Sequence, residues 1–258
     1  GLRRSAADAA GWEALVGVRN YGDQPRNVPL VLAFGGAVVG TRRLEIPAGA
    51  EQDAAFELRT RAAGLLEARL LIQDAFPGDD RGVLELPAQR AVKVLVYSAE
   101  PDLLQPALAA NPWVSAEFRR PSEYRPEAPA DILILDRFRP RPAPACDSIW
   151  IEPPAEGSPI RVRATAENVA LASWRSEHPL AESLRARDLW LASAQIFEPG
   201  PGDVAVAETE AGPVMVARET KPRMVALGFH PGRGALRHEL ATPLLFANLL
   251  RWMRPELF

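Results

Sequence analysis

The chain has 258 residues, of which 47% are hydrophobic and 24% are charged. This composition is typical of a soluble globular protein and excludes a disordered one. The net charge of −3 provides no basic field, which argues against nucleic acid as a partner. Cys146 is the single cysteine, so no internal disulfide forms. The longest apolar stretch of helical character runs from Pro243 to Leu250, well short of the ~20 residues that cross a bilayer.

Residues 1–89 are predicted to form an all-β domain. Apolar side chains alternate with polar ones along three stretches, as in half-buried strands. Turn sequences such as Gly35-Gly36 and Pro77-Gly-Asp-Asp80 separate these stretches at short intervals. Several short strands with frequent turns favour an immunoglobulin-like β-sandwich. The alternating side chains are Trp12, Ala14, Val16 and Val18, then Val28, Leu30, Leu32 and Phe34, then Leu66, Ala68, Leu70 and Ile72.

Residues 90–258 show a different pattern. The runs Ala91–Val96 and Asp131–Leu135 are continuously apolar, as in central strands of a parallel sheet, and a helix is predicted for Pro101 to Ala110. This order predicts an open, flavodoxin-like α/β sheet with helices on its faces. Later strands, up to Arg223–Leu227, are expected to extend the sheet in antiparallel fashion. Thr242 is predicted as the N-cap of a closing helix.

The run Met224–Gly232, with Phe229-His230-Pro231, resembles the strand end that carries the catalytic histidine of class I glutamine amidotransferases. The resemblance implies that family's fold for residues 90–258. Gly232 stands where the family has its orienting Glu. The turn after Ser148–Ile151, where the family places its nucleophilic cysteine, reads Glu152-Pro-Pro154, and Cys146 precedes the strand. The resemblance therefore implies a pseudo-enzyme without catalytic residues.

His230, His178 and Glu156 are the candidate residues of a vestigial pocket. His178-Pro-Leu180 resembles a segment of the trehalose-utilisation-type branch of the same superfamily. No third ligand lies at metal-like spacing beside either histidine, so neither a metal nor another cofactor is expected. The alternative interpretation is a hydrolase or amidotransferase relative in which His230 works with Glu156 or Glu177. A further alternative is a small-molecule sensor that retains the ancestral pocket.

Arg137, Arg139 and Arg141 are the candidate interaction surface. They follow a predicted parallel strand, and ligands of such sheets dock outside the carboxyl ends of the strands.

The order of features along the chain resembles the ectodomain of bacterial aerotolerance-type von Willebrand factor A membrane proteins. The matching segments are Asp74–Arg81, with its Asp79-Asp80-Arg81, and the closing Pro243-Leu-Leu-Phe-Ala-Asn248-Leu-Leu-Arg-Trp252. The resemblance implies a non-catalytic interaction or scaffold module on the periplasmic side of an inner-membrane-anchored protein. Its expected partner is another cell-envelope protein. The strand-like start of the chain predicts that it is part of a longer protein.

Overall fold

The structure is a computed structural model that describes residues 1–5, 10–72, 76–88, 90–126, 129–185 and 190–255. The chain divides into two compact units, Gly1–Arg90 and Ala91–Phe258. Asp74 of the predicted acidic turn lies outside the described residues. Within the described part of the chain, no helix is long and apolar enough to span a membrane.

The first unit consists of strands in two antiparallel sheets. Its strands are β1 (Leu2–Arg4), β2 (Gly11–Arg19), β3 (Arg26–Phe34), β4 (Ala37–Ile46), β5 (Glu51–Arg59), β6 (Gly64–Leu70) and β7 (Arg81–Leu86). One sheet has the order β1-β2-β5 and the other the order β4-β3-β6-β7. Side chains from both sheets, among them Trp12, Leu30, Phe56 and Leu66, share one buried core. The period-two pattern therefore identifies the inward face of each strand.

The second unit is built on one nine-stranded mixed sheet. Its strands are β8 (Val92–Tyr97), β9 (Val114–Arg119), β10 (Ile132–Asp136), β11 (Asp147–Ile151), β12 (Arg161–Trp174), β13 (Trp190–Glu198), β14 (Asp203–Thr209), β15 (Gly212–Arg218) and β16 (Met224–Leu227). The order is β13-β12-β14-β15-β16-β11-β10-β8-β9. Strands β16, β11, β10, β8 and β9 are parallel neighbours. The remaining four strands extend the sheet through antiparallel pairs.

The prediction of a flavodoxin-like α/β sheet with helices on its faces is wrong. The protein is mostly β, with 49% strand and 13% helix. The described helices of the second unit are α1 (Gln105–Ala109), α2 (Ala241–Met253) and four 3₁₀ turns at Pro101–Leu103, Pro121–Glu123, Pro179–Ala181 and Gly234–His238. The connection from β10 to β11 contains Pro140, Pro142 and Pro144, which cannot donate the backbone hydrogen bonds of a helix interior.

The two faces of the sheet are covered differently. Val94, Ile134 and Ile149 belong to a core that includes residues of α1 and α2. The alternate residues Leu133 and Trp150 belong to a second core on the opposite face, where the packed neighbours come from strands and loops. On that face Tyr97, Tyr124 and Phe138 form a cluster of aromatic rings with centroids 5.1 to 5.9 Å apart.

Helix α2 begins at Ala241, and its N-cap is Leu240 rather than the predicted Thr242. Thr242 instead lies one residue inside the helix, where its Oγ1 donates to the carbonyl oxygen of Leu236 at 2.7 Å. The same hydroxyl lies 3.2 Å from the carbonyl oxygen of Pro231. Thr242 therefore fixes the start of α2 against the loop that contains His230.

Candidate functional site

A cluster of polar residues lies where four neighbouring parallel strands end. Ser98 follows β8, Asp136 is the last residue of β10, Glu152 follows β11, and His230 lies three residues beyond β16. The carboxyl ends of parallel strands meet at one edge of the sheet, which is the usual ligand-binding edge in such sheets. The cluster is therefore the place where chemistry or binding is tested first.

Asp136 is the centre of this cluster, and its side chain is fully buried. Ser98 Oγ donates to Asp136 Oδ2 at 2.5 Å, and Arg137 Nε donates to Asp136 Oδ1 at 2.8 Å. Burial alone would raise the pKa of Asp136, but hydrogen bonding with His230, Arg137 and Ser98 outweighs that effect and holds the pKa at about 2. Asp136 is thus a permanently charged carboxylate with committed oxygens.

The hydroxyl of Ser98 is committed as well. Its oxygen accepts from the backbone N–H of Glu100 at 2.9 Å while its proton is donated to Asp136. A serine nucleophile needs a base that receives this proton during attack. With a pKa of about 2, Asp136 is too weakly basic for that role at neutral pH.

His230 has both ring nitrogens engaged in the interior. Its Nδ1 accepts from the backbone N–H of Gly232 at 3.1 Å, so in the neutral ring the proton lies on Nε2. Nε2 faces Asp136 Oδ1 at 3.5 Å, a weak contact because good N–H···O bonds are shorter. The imidazole side chain is 1% exposed. The tautomer that this geometry fixes directs no lone pair at a reacting group.

Gly232 stands at the position where the amidotransferase resemblance has its orienting Glu. A Cβ at this position would overlap the carbonyl oxygen of Leu103, which belongs to the 3₁₀ turn after β8. The backbone of that turn therefore occupies the space that an orienting side chain would need. The glycine is explained by this close approach of two loops.

Two arginines converge on Glu100 above Asp136. Arg137 Nη2 donates to Glu100 Oε2 at 2.7 Å, and Arg233 Nη2 donates to the same oxygen. These hydrogen bonds, from Arg233 first and Arg137 second, lower the pKa of Glu100. The Glu100 and Arg233 side chains are 48% and 45% exposed. This group, which we call the Glu100 clamp (Glu100, Arg137 and Arg233), is the solvent-facing part of the cluster.

Glu152 occupies the turn where the amidotransferase resemblance places a nucleophile. Its φ of 43° is in the left-handed region, and its N–H continues the sheet by donating to the carbonyl oxygen of Leu227 at 2.8 Å. Arg137 behaves in the same way at the end of β10, with a φ of 53° and a hydrogen bond to Ile151. Burial raises the pKa of Glu152, against the opposing influence of His230, Arg137 and Arg233. A carboxylate, and no thiol or hydroxyl, therefore stands at this turn.

His178 is buried elsewhere in the second unit, on a loop that packs against α2. Its Nδ1 accepts from the backbone N–H of Leu180 at 3.2 Å, and its ring lies 5.7 Å from that of Trp252. Its Nε2 faces Glu219 Oε1 at 3.5 Å. Burial lowers the pKa of His178. The carboxylates that face the two histidines are thus Glu219 and Asp136, in place of the proposed Glu156 and Glu177.

The other predicted site residues lie at the surface. Glu156 is exposed, and the side chain of Arg139 crosses its neighbour Gly157. Arg139 and Arg141 are exposed, whereas Arg137 is only 26% exposed and belongs to the Glu100 clamp. The predicted surface of three arginines is therefore divided into one structural arginine and two accessible ones.

Cys146 is half-buried and precedes β11, while Glu152 follows the same strand. The thiol and the polar cluster thus lie at opposite ends of β11. Burial raises the pKa of Cys146, which disfavours the thiolate. Among the described residues, no group of three or more His, Cys, Asp or Glu side chains is placed to hold a metal ion.

A narrow apolar recess lies beside Pro231, between the sheet and α2. Its free volume is about 10 Å³, whereas one water molecule needs ~10–15 Å³ on the same measure. The lining residues are Leu171, Trp174, Leu191, Phe229, Pro231, Leu236, Ala241, Thr242 and Leu245.

Comparisons with known proteins give structural likenesses only. No family model matches the chain, and no curated protein matches it significantly. A Salmonella typhimurium protein described as cytoplasmic aligns with 62% of this chain and 98% of its own, at 10% identity and a TM-score of 0.50. A second such Salmonella typhimurium protein covers 74% of this chain and 96% of its own, at 11% identity and a TM-score of 0.48. A Thermoplasma acidophilum protein provisionally described as part of a GMP synthase covers 65% and 96%, at 12% identity and a TM-score of 0.46.

Proposed function

We propose that this chain is a non-catalytic interaction module of a bacterial cell-envelope protein, displayed on the periplasmic side of the inner membrane by a tether in the parent protein. One observation carries the non-catalytic part. Both nitrogens of the buried His230 are engaged, Nδ1 by its own loop and Nε2 by Asp136. The membrane-anchored context rests on the resemblance of the ordered sequence features to aerotolerance-type ectodomains.

The surroundings of His230 support the same proposal. General acid–base catalysis requires a side chain within hydrogen-bond reach of the proton to be moved. Ser98 already donates to a weakly basic carboxylate, and the backbone of Leu103 fills the space beside Gly232. The polar cluster thus has the properties of a structural network that closes the end of the parallel sheet.

The test is a search for turnover by the purified chain, with L-glutamine as an amide substrate and p-nitrophenyl acetate as an ester. We expect both rates to equal the rate without protein, and His230→Gln to be indistinguishable from the wild type. A matched amount of an active glutaminase is the positive control. Steady turnover that His230→Gln abolishes would overturn the proposal.

The interaction half of the proposal has a separate test. Arg139 and Arg141 are exposed beside the polar cluster, whereas Arg161 is an exposed arginine on β12. A photoreactive phenylalanine analogue placed at 139 or 141 in the producing bacterium is expected to give one adduct of fixed mass, and the same analogue at 161 none. Failure to form an adduct at 139 and 141 would count against this surface.

One observation favours a second candidate, a hydrolase that uses Glu152. Left-handed backbone at a non-glycine residue costs roughly 1–3 kcal/mol and is found at functional sites, and burial raises the pKa of this carboxyl group. Turnover that survives in His230→Gln but is lost in Glu152→Gln would establish this candidate.

A further inference from the structure

The Glu100 clamp contains two guanidinium groups on a single carboxylate oxygen. Arg137 and Arg233 come from different loops, after β10 and after β16, yet both donate to Glu100 Oε2. Charge-assisted hydrogen bonds of this kind are the strongest that arginine makes with an anion. The arrangement is one that would hold the carboxylate of a ligand equally well.

Arg137 is preorganised for this role. Its Nε is fixed by the buried Asp136 at 2.8 Å, and its Nη2 points toward the more exposed Glu100. Its left-handed backbone, with a φ of 53°, turns the side chain back over the end of the sheet. A rigid guanidinium with one edge buried and one edge accessible loses little conformational entropy on binding an anion.

Glu100 itself is the exchangeable member of the clamp. Its side chain is 48% exposed and is held by the two arginines. Exposed ion pairs contribute at most ~1 kcal/mol, so an external anion competes with the internal one at modest cost. In contrast, Asp136 is fully buried and cannot exchange.

We infer that the Arg137–Arg233 pair binds the carboxylate of a ligand, with Glu100 as the internal carboxylate that the ligand displaces. This site rests on the proposed function as the recognition point of a non-catalytic module. The charge balance selects a monoanion. With Asp136 charged, the two arginines are neutralised by one further negative charge, and a dianionic phosphate beside Asp136 and Glu152 would add repulsion.

The decisive experiment measures acetate binding by calorimetry at constant ionic strength, with chloride as the balancing anion. Glu100→Ala vacates the clamp, and we expect it to bind acetate at least ~tenfold more tightly than the wild type, because an internal competitor lowers apparent affinity by the free fraction of sites. Glu100→Gln, which keeps the side-chain shape, is expected to lie between the two. Adding Arg233→Ala to Glu100→Ala is expected to remove the gain.

The chain offers a matched control. Glu198 is an exposed carboxylate paired with the single Arg161 at 3.1 Å. Glu198→Ala therefore removes a similar surface ion pair without leaving two converged guanidinium groups, and no gain in acetate binding is expected. Circular dichroism of each variant shows whether the fold is retained.

Two further ligands distinguish the sources of the carboxylate. Preferential binding of glutarate by Glu100→Ala would indicate a small acid, and preferential binding of a terminally blocked triglutamate peptide would indicate an acidic protein segment. Either result supports the clamp. Acetate affinity equal in wild type and Glu100→Ala, a gain that persists with Arg233→Ala, or a preference for inorganic phosphate would overturn it. These outcomes are independent of the turnover assay, which alone tests whether the module is catalytic.

Discussion

The two His-Pro loops of the second unit have the same local geometry in different surroundings. In His178-Pro-Leu180 and in His230-Pro-Gly232, the histidine Nδ1 accepts the backbone N–H two residues later. In both, Nε2 lies 3.5 Å from a carboxylate. The carboxylate is the exposed Glu219 in the first loop and the buried Asp136 in the second.

This comparison separates what the motif does from what its surroundings do. Because the hydrogen bond to the i+2 amide occurs in both loops, it is a way of shaping the turn before or after an irregular segment, as Asn and Ser side chains do elsewhere. It does not by itself indicate catalysis. The difference between the loops lies in the carboxylate, so that is where substitutions should distinguish them.

The largest effect is expected from Asp136→Asn. It removes the counterion of a partly buried Arg137 and one acceptor of Ser98. Breaking a fully buried ion pair costs ~3–5 kcal/mol, and the partial exposure of Arg137 reduces this to about 2–3 kcal/mol. The measurement is denaturant unfolding followed by tryptophan fluorescence.

The matched change in the other loop is Glu219→Gln. The carboxylate of Glu219 is 60% exposed, so the expected loss is below ~0.5 kcal/mol. Equal losses for Glu219→Gln and Asp136→Asn would show that the two carboxylates do not differ in the way the structure implies.

A second effect, of about 2 kcal/mol, is expected from Gly232→Ala. The new methyl group would overlap the Leu103 carbonyl oxygen, and overpacking of this kind costs ~1–3 kcal/mol because backbone must move. Gly82→Ala is the control, since a Cβ there meets no atom within 4 Å. A neutral Gly232→Ala would mean that the 3₁₀ turn at Pro101–Leu103 yields readily and that the space beside His230 opens.

Much of this arrangement is predictable from the sequence, but its centre is not. The apolar runs at β8, β10, β11 and β16 identify the buried strands, and their carboxyl ends identify the edge where the cluster lies. His230 is found through its motif. Asp136 is missed, although an acidic residue directly after the buried run Ile132–Leu135 is a signal that the sequence does contain.

The error in fold class also has a physical cause. Parallel strands normally require crossover helices, and the α/β prediction assumes them. The β10–β11 connection, with its three prolines, makes the crossing without a helix. Strand β12 is missed because most of its 14 residues are exposed, so apolar alternation is weak. Its pairing with β13 and β14 is a long-range property that no local pattern specifies.

A third prediction concerns what the two loops share. In His178→Asn and His230→Asn, the Asn Oδ1 takes the place of Nδ1 and still accepts the i+2 amide. We expect each Asn variant to be more stable than the corresponding Ala variant by about 1 kcal/mol, the contribution of one hydrogen bond. Thermal unfolding of the four proteins measures this. If Asn and Ala were equivalent at either site, that loop would owe its shape to packing alone.

The smallest expected effect is a pH dependence specific to the His178 loop. Burial lowers the pKa of His178, and the attraction of Glu219 opposes this only in part. The folded-state pKa therefore lies below the unfolded value of ~6.5, so the unfolded chain takes up the proton first as the pH falls. The resulting contribution to stability is present above about pH 6.5 and is lost as the pH falls through the folded-state pKa. Between pH 7 and pH 5, the free energy of unfolding should thus decline less in His178→Asn than in the wild type. Glu219→Gln should steepen the decline, because it removes the charge that favours protonated His178, and equal slopes in all three proteins would refute this account of the loop.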